Sequence, residues 1–232
     1  MIPLAHDFTD ETVLVFGGGP VGARKARRFA AEARVVVVSP DFADADFGGA
    51  ARVRAAPAPD EVAAYLDDHD PALVVAATDD PDVNAAAARA AGERGTLVNR
   101  ADRSGGDRDA TDVAVPAAVE DGDVTVAVST GGSSPALARH LRERIEDGVA
   151  GAGAVAAASG ALRERYRDAG VAPDERRAAV RAVVRADAVW EAAREDGPDE
   201  AMAVAERVAA ERIAGVREAA DSDPSEAEGW SA

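Results

Sequence analysis

The sequence predicts an α/β protein: a parallel-sheet domain, then a β-hairpin, then an all-helical region. Three features of the 232-residue chain indicate this architecture. Short apolar runs alternate with helix-forming stretches up to residue 99, a glycine-rich turn follows the first run, and the pattern is helical from residue 135 almost to the end. Strands that alternate with single helices form parallel sheets, because each helix returns the chain to the same end of the sheet.

Five short runs predict strands, and all but the third are apolar, as in strands buried on both faces. They cover residues 12–16, 34–38, 52–54, 72–78 and 96–99. Helices are expected over 21–33, 60–68 and 81–94. The last of these helices lies between an aspartate suited to an N-cap, Asp80, and a terminal glycine, Gly95. The alternation predicts a doubly wound, Rossmann-like sheet.

The pattern changes after Asn99. Residues 100–112 are polar and predict a loop, and residues 113–119 and 124–129 predict a hairpin. Four helices follow, at about 135–147, 151–169, 174–195 and 199–219. We expect a Rossmann domain over 1–112, a dimerisation and substrate-binding segment over 113–149, a helical domain over 150–220 and a flexible tail over 221–232.

The charge is strongly acidic. The chain has 43 acidic and 26 basic residues, a formal net charge of −17, and Lys25 as its only lysine. A lysine-poor acidic surface stays hydrated in concentrated salt, where the Debye length falls to about 3 Å at 1 M and self-repulsion costs little. We therefore expect a halophilic protein. Nucleic-acid binding is not expected, because it needs a basic face.

Several classes of site are not expected from the composition. The chain has no cysteine, which excludes disulfides and thiolate sites. The histidines His6, His69 and His140 are scattered without ligand spacing, so no protein-held metal is expected. No apolar run reaches the roughly 20 residues that cross a bilayer, and the first residues do not resemble a signal peptide. We expect a cytoplasmic protein with no membrane partner.

The glycine turn fits the spacing G-x-G-x-x-G between a strand and a helix. Gly17 permits the tight turn, Gly19 lets the backbone approach a pyrophosphate, and Gly22 lets the helix pack on the strand. The helix N-terminus offers free N–H groups to phosphates. We expect this turn to bind a dinucleotide through Gly17, Gly18, Gly19, Pro20, Val21 and Gly22.

An acidic residue that binds the adenosine ribose is expected after the second strand. Pro40 and Asp41 follow that strand, with Asp41 slightly beyond the usual position. No arginine adjoins Asp41 in the sequence to receive a 2′-phosphate, so NAD is favoured over NADP. The alternative is that Asp41 is a solvated loop residue.

A second candidate site follows the predicted hairpin. Two glycines and several hydroxyl side chains precede Pro135 at a helix start, and such a turn can bind anions. The segment comprises Ser129, Thr130, Gly131, Gly132, Ser133 and Ser134, and Arg139, His140, Arg142 and Arg144 follow in the helix. The alternative, equally open from these residues, is a well-capped helix with solvated arginines.

Taken together, these motifs resemble the precorrin-2 dehydrogenase family, which forms the N-terminal module of siroheme synthases. The resemblance covers about residues 1–150 and is carried by Val15–Ala26, the strand end Ala76–Asp80, Asn84, Val98-Asn99 and the Ser-Thr-Gly-Gly-x-Ser-Pro element Ser129–Pro135. It implies NAD-dependent oxidation of precorrin-2 to sirohydrochlorin, and iron insertion in some members. The methyltransferase domain of larger siroheme synthases has no counterpart in these residues.

The resemblance also implies roles for single residues. In the family an aspartate in an Asn-x-x-Asp context is the essential acid/base, which corresponds to Asp102 after Asn99. The following loop is longer than usual and contains Asp107, Asp109 and Asp112, so Asp109 and Asp112 are alternatives. Thr78, Asp79 and Asn99 are implied to bind the cofactor.

The implied substrate carries many carboxylates, which an acidic protein must receive with local positive charge. Arg100, Arg103, Arg139 and Arg142 are the candidates. The family forms a homodimer through the hairpin and the following helix, and an apolar hairpin fits that expectation. Two other functions remain open, an NAD(H)-sensing regulatory module and a dehydrogenase of another small substrate. The sensing module gives no role to Asn99, Asp102 and the Ser129–Pro135 element, whereas the first 100 residues alone would permit the other dehydrogenase.

The acid excess predicts that stability and activity require high salt, because the crowded carboxylates repel one another in dilute buffer. The melting temperature should rise when KCl is increased from about 0.1 M to about 2 M, a range over which the Debye length falls several-fold. A melting temperature that does not change with KCl would contradict the halophilic interpretation.

Overall fold

The computed structural model describes residues 2–103, 109 and 111–221. These residues belong to two compact units, one drawn from residues 1–116 and 129–135, the other from 117–128 and 136–232. The first unit contains β1 (Thr12–Phe16), α1 (Pro20–Phe29), β2 (Arg34–Ser39), β3 (Ala51–Arg54), α2 (Val62–His69), β4 (Leu73–Ala76), α3 (Pro81–Arg94) and β5 (Leu97–Arg100). The expected order of strands and helices is confirmed.

The five strands form one parallel sheet in the order β3-β2-β1-β4-β5. The central strand β1 pairs with β2 on one side and β4 on the other, so that Val15 lies beside Val37 and Val75. The chain therefore reverses its direction of winding between β1 and β4. In such sheets ligands bind at the carboxyl ends of the strands beside this reversal.

The sheet is covered on both faces. One face packs against α2 and α3 around Phe16 and Leu66, and the other packs against α1 around Val37 and Ala26. All five residues of β1 are buried, which explains why the four residues after Thr12 are all apolar. Asp80 caps α3 by accepting hydrogen bonds from two backbone N–H groups, and Gly95 ends it at φ 70°, as predicted.

The segment after the long loop adds to the edge of this sheet. The N–H of Val98 donates to Thr111 O at 3.0 Å, and the N–H of Val113 donates to Val98 O at 2.8 Å. The prediction that the hairpin begins at residue 113 is therefore wrong. Val113 instead packs on the α1 face of the sheet, where its apolar side chain is partly buried.

The second unit holds the hairpin and the remaining helices. The hairpin is β6 (Ala117–Asp121) and β7 (Val124–Val128), which form a separate antiparallel sheet with Gly122 at φ 55° in the turn. The helices are α4 (Pro135–Val149), α5 (Ala152–Asp168), α6 (Pro173–Arg185), α7 (Asp187–Glu195) and α8 (Pro198–Asp221). Residues 222–232 of the expected tail lie outside the described residues. The division into three domains and a tail stays a prediction.

The single helix expected over 174–195 is wrong, because the chain breaks at Ala186. Ala186 has an extended backbone with ψ 114°, and a new helix begins at Asp187. The break brings Val183 and Val189 into the same core, where both are fully buried. The indole Nε1 of Trp190 donates to Val184 O at 3.0 Å and ties the two helices together.

Within the described ranges, no helix is both long and apolar enough to cross a membrane. In the same part of the chain, no three His, Asp or Glu side chains come together as a possible metal site.

Replacing two glycines of α5 by alanine should change the stability of the protein in opposite directions. A Cβ at Gly153 would lie 2.6 Å from Asp121 O, whereas a Cβ at Gly160 would meet no atom within 4 Å. Gly153→Ala should lower the free energy of unfolding by about 1–3 kcal/mol through overpacking, and Gly160→Ala should raise it by up to about 1 kcal/mol through helix propensity. Denaturant unfolding in high salt measures both, and equal effects would contradict the close approach of the hairpin to α5.

Candidate active site

The glycine turn lies between two neighbouring loops that leave no room for side chains. A Cβ at Gly17, which has φ 116°, would be 2.3 Å from Ala77 O, and a Cβ at Gly18 would be 2.2 Å from Asp41 O. A Cβ at Gly22 would be 1.9 Å from the carbonyl oxygen of Gly17. These three glycines are therefore required by the protein's own backbone packing.

Gly19 differs from the other three glycines. Its φ of −74° suits any residue, and a Cβ there would meet no atom within 4 Å. Gly19 is the N-cap of α1 and makes no side-chain cap, so the first N–H groups of the helix face this space without a capping side chain. The open space beside a helix N-terminus fits a phosphate group. Folding does not require a glycine at this position, but a close-lying phosphate does.

Asp41 lies at the end of β2, as the sequence predicted, and its side chain is 91% exposed. In the folded chain an arginine does adjoin Asp41, so the expectation that none does is wrong. Arg54 donates from Nη1 to Asp41 Oδ1 at 3.1 Å and to Pro40 O at 2.9 Å. The cause is the register of the sheet, in which Arg54 pairs with Ser39. The contact was not predicted because Arg54 is distant from Asp41 in the sequence. The signal that could have revealed it was the charged strand β3, which lies beside β2 at the edge of the sheet.

The loop after β4 is braced by a buried amide. Asn84, 1% exposed, accepts the N–H of Thr78 on Oδ1 at 3.1 Å and donates from Nδ2 to Thr78 O at 2.9 Å. The Thr78 hydroxyl lies 2.8 Å from the same Asn84 oxygen. Asp79 is exposed on this loop, next to the turn that Gly17 contacts through Ala77. Asn84 thus fixes the loop after β4, which lies beside the glycine turn on the side away from Asp41.

Asn99 holds the segment that follows the long loop against the end of β5. Its Nδ2 donates to Val113 O at 2.8 Å, and the residue is 6% exposed. Its Oδ1 is buried and has no hydrogen-bond partner among the described residues. This oxygen is therefore available for the cofactor contact that the resemblance implies, and one N–H of the amide serves the fold.

Asp102 is held by a two-pronged ion pair with Arg100. Arg100 Nε donates to Oδ1 at 2.8 Å and Nη2 donates to Oδ2 at 2.6 Å. The Arg100 side chain is 9% exposed and the Asp102 side chain is 26% exposed. Hydrogen bonding from Arg100 lowers the pKa of Asp102, partial burial opposes this, and the charges of Arg100 and Arg103 lower the pKa further. The carboxylate is consequently ionised at neutral pH.

The alternative aspartates lie in a different setting. Asp109 and Asp112 line a cavity of about 560 Å³ with Arg89, Arg100 and Arg103. Asp112 Oδ2 also accepts the N–H of Asp109 at 3.2 Å, so it shapes the turn that reaches the sheet edge. Asp107 lies outside the described residues.

The Ser129–Pro135 element is an ordered turn that uses much of its own polar capacity. The Thr130 hydroxyl accepts the N–H of Ser134 at 3.2 Å and donates to Ser134 O at 3.0 Å. Ser133 Oγ donates to Thr130 O at 2.6 Å, and Ser129 Oγ accepts the N–H of Gly131 at 3.2 Å. Gly131 and Gly132 have φ of 64° and 86°, which favours glycine at both positions.

Two arginines of α4 already have acidic partners. Arg139, 80% exposed, pairs with Glu143 at 3.0 Å, and Arg142 pairs with Glu146 at 2.8 Å. Exposed pairs of this kind are weak and exchange partners readily. The substrate-binding role expected for Arg139 stays a prediction.

Two family models match the chain. One, described as putative NAD(P)-binding, matches residues 4–117, and the other, described as sirohaem biosynthesis protein central, matches residues 121–148. The chain is 38% identical over 187 residues to a siroheme synthase of Methylococcus capsulatus, covering 76% of this chain and 36% of the relative. It is 35% identical over 176 residues to that of Pseudomonas paraeruginosa, covering 72% and 35%.

A solved structure of the precorrin-2 dehydrogenase SirC is similar in fold. The TM-score is 0.64 at 20% sequence identity, covering 89% of this chain and 100% of that chain. The likeness confirms the architecture of a parallel sheet, a hairpin and a helical region. The chain spans about a third of the length of the curated relatives it matches. On the evidence of the glycine turn, the two family models and these relatives, the chain belongs to the siroheme synthase family.

Proposed function

We propose that this chain catalyses the NAD-dependent oxidation of precorrin-2 to sirohydrochlorin. The observation that carries the proposal is the pairing of two features at the carboxyl ends of one sheet. Gly19 leaves room for a phosphate at the start of α1, and an ionised carboxylate, Asp102, follows β5. Membership of the siroheme synthase family supports the choice of substrate.

Three groups of residues would hold the cofactor. The N–H groups at the start of α1 receive the pyrophosphate, and Asp41 accepts hydrogen bonds from the adenosine ribose through the oxygen that Arg54 leaves free. The loop of Thr78 and Asp79, braced by Asn84, forms the opposite wall. When bound, NAD⁺ supplies the hydride acceptor. Because Arg54 lies beside Asp41, where an arginine would favour the 2′-phosphate of NADP, the binding of NAD and of NADP must be compared directly.

Asp102 is the proposed base. Oxidation of a carbon–carbon single bond to a double bond removes a hydride and a proton, and a carboxylate near the reacting carbon takes the proton. Arg100 keeps Asp102 ionised and limits its orientation through two hydrogen bonds. After turnover the proton leaves to solvent, because the Asp102 side chain is 26% exposed.

The substrate would be received by groups suited to carboxylates. We assign Ser129–Ser134 and the exposed Arg103 to this role, and the part expected of Arg139, in the second unit, stays a prediction. The internal hydrogen bonds of the Ser129–Pro135 turn fix its backbone, so its remaining N–H groups are preorganised for an anion.

We also propose a homodimer formed through the hairpin. A two-stranded sheet is marginally stable alone, and β6–β7 pairs with no other strand in the described part of the chain. Light scattering measures the state, and a monomer at micromolar concentration would refute this part of the proposal. A cytoplasmic location and iron insertion stay predictions.

The direct experiment supplies precorrin-2 and NAD⁺ and follows the absorbance of sirohydrochlorin and of NADH. A parallel sample adds ferrous iron and follows siroheme. Formation of NADH and sirohydrochlorin in equal amounts is the expected result. Binding of NAD⁺ without turnover would favour the sensing module instead.

Gly19→Ala should abolish tight NAD⁺ binding while leaving the fold intact. The added methyl group meets no protein atom but occupies the space assigned to phosphate. Loss of the close backbone approach should weaken binding by at least about tenfold, that is, about 1.4 kcal/mol. Titration calorimetry and the melting temperature measure the two effects, with Gly160→Ala as the control. An unchanged Kd would remove Gly19 from the site, and Gly19→Asp provides a stronger test because its carboxylate would face the phosphate.

Asp102→Ala should leave NAD⁺ binding unchanged and reduce turnover by about 10²–10⁴-fold, the usual contribution of a positioned acid or base. Asp109→Ala and Asp112→Ala are the matched controls, because both residues are alternatives in the same loop. Full turnover by the Asp102 variant would transfer the role to whichever control loses activity.

Arg100→Gln should move the acidic limb of the pH–rate profile to higher pH. Arg100 lowers the pKa of Asp102, so its removal raises that pKa and the ionised base is lost earlier as pH falls. Activity well above the limb should change less than activity below it. The profile of kcat against pH measures this, and a limb that does not move would show that Asp102 does not control it.

A further inference from the structure

Helix α1 concentrates positive charge in an acidic protein. It carries four basic residues and no acidic one, Arg24, Lys25, Arg27 and Arg28, although acidic residues outnumber basic ones by 43 to 26 in the chain. Elsewhere many arginines pair with carboxylates, as Arg94 does with Asp67 at 2.6 Å. Within residues 2–103, 109 and 111–221, none of the four α1 cations forms an ion pair.

Three of these cations share one flank of the helix. Arg24 and Arg28 are one turn apart on the exposed side of the helix, and Lys25, half-buried, lies next to them towards the buried face. Arg28 Nη1 donates to Pro116 O at 2.6 Å on this side, whereas the Arg27 backbone meets Gly48 on the other. Like charges at this spacing destabilise a helix. We call Arg24, Lys25 and Arg28 the α1 cationic flank.

Lys25 is the least expected member. It is the only lysine of the chain and is half-buried. Burial, followed by the charges of Arg28 and Arg24, lowers the pKa of its ammonium from 10.5 to about 8. An ammonium removed from water beside two guanidinium groups is unfavourable. Among the described residues no anion offsets this cost, so the arrangement suits an anion that binds from outside.

We propose that the α1 cationic flank is a binding site for the carboxylate groups of a polycarboxylate ligand. The identity of the ligand rests on the proposed function, whose tetrapyrrole substrate carries many carboxylates. Arginine binds a carboxylate through two parallel hydrogen bonds, and lysine adds a compact charge. Because the chain's net charge of −17 repels a polyanion elsewhere, a local cationic surface would also guide its approach.

The position of the flank supports a small-molecule ligand. Arg24 and Lys25 lie only two and three residues beyond Gly22, the last glycine of the turn assigned to the cofactor. Three cations on one helix face form a surface much smaller than the roughly 800 Å² per partner of a standard protein interface. The flank is also too short for a nucleic acid, because tight binding of nucleic acid requires contacts with many phosphates.

The single lysine allows a direct test. Reductive methylation with ¹³C-formaldehyde labels Lys25 and the N-terminal amine, which give separate NMR signals. A pH titration of the labelled protein is run without and with uroporphyrin I, a stable macrocycle with many carboxylates, at matched ionic strength. Binding at the flank should raise the pKa of Lys25 towards 10.5, its ordinary value. An unchanged titration curve would overturn the proposal.

Variants test the two arginines. The double variant Arg24→Gln/Arg28→Gln should weaken uroporphyrin binding, measured by the Soret absorbance, by about tenfold or more. Arg181→Gln, an exposed arginine of α6 with no ion pair among the described residues, is the matched control and should bind normally. Equal binding by both variants would overturn the site, even if precorrin-2 is oxidised. A rise in the Lys25 pKa without any NADH formation from precorrin-2 would support the site and reject the proposed dehydrogenation.

Discussion

The close approach of three backbone segments at the carboxyl ends of β1, β2 and β4 organises the first unit. The glycine turn fits between the loops after β2 and β4 only because Gly17 and Gly18 lack side chains, each having a carbonyl oxygen where its Cβ would be. This packing sets the start of α1, whose inner face then covers one side of the sheet. The same contact brings Asp41 and the Asn84-braced loop to opposite sides of the turn. The candidate cofactor cleft is therefore a direct result of backbone packing.

Much of this arrangement could be predicted from the sequence because it depends on local patterns. A run of β-branched residues such as Val35–Val38 favours a buried strand, and Asp80 and Gly95 mark the two ends of their helix through interactions with adjacent residues. The sequence-based predictions were wrong where a contact between residues distant in the sequence determines the local structure. Val113 joins the edge of the first sheet through Val98, and the chain breaks at Ala186 so that Val183 and Val189 can share one core.

The candidate site was predicted less completely than the fold for the same reason. The glycine spacing identifies the turn, but it does not distinguish Gly19, which faces open space, from three glycines that the backbone itself requires. The pairing of Arg54 with Asp41 follows from strand register, and that of Arg100 with Asp102 from the course of the chain after β5. Charge partners in a protein with a net charge of −17 cannot be assigned from composition, because most cations have several acidic residues within reach in sequence.

The clamp between Asn99 and Val113 has a consequence for how this chain can vary. The backbone bonds of Val98 to Thr111 and Val113, with the amide bond of Asn99, fix the two ends of the loop to the same strand. Lengthening a loop whose ends are already held costs little, about 0.6 kcal/mol for each doubling. Insertions and deletions between residues 103 and 111 can therefore accumulate without moving Asp102, which lies on the strand side of the variable stretch. Such a loop could diverge among related proteins while the chemistry beside it stays in register.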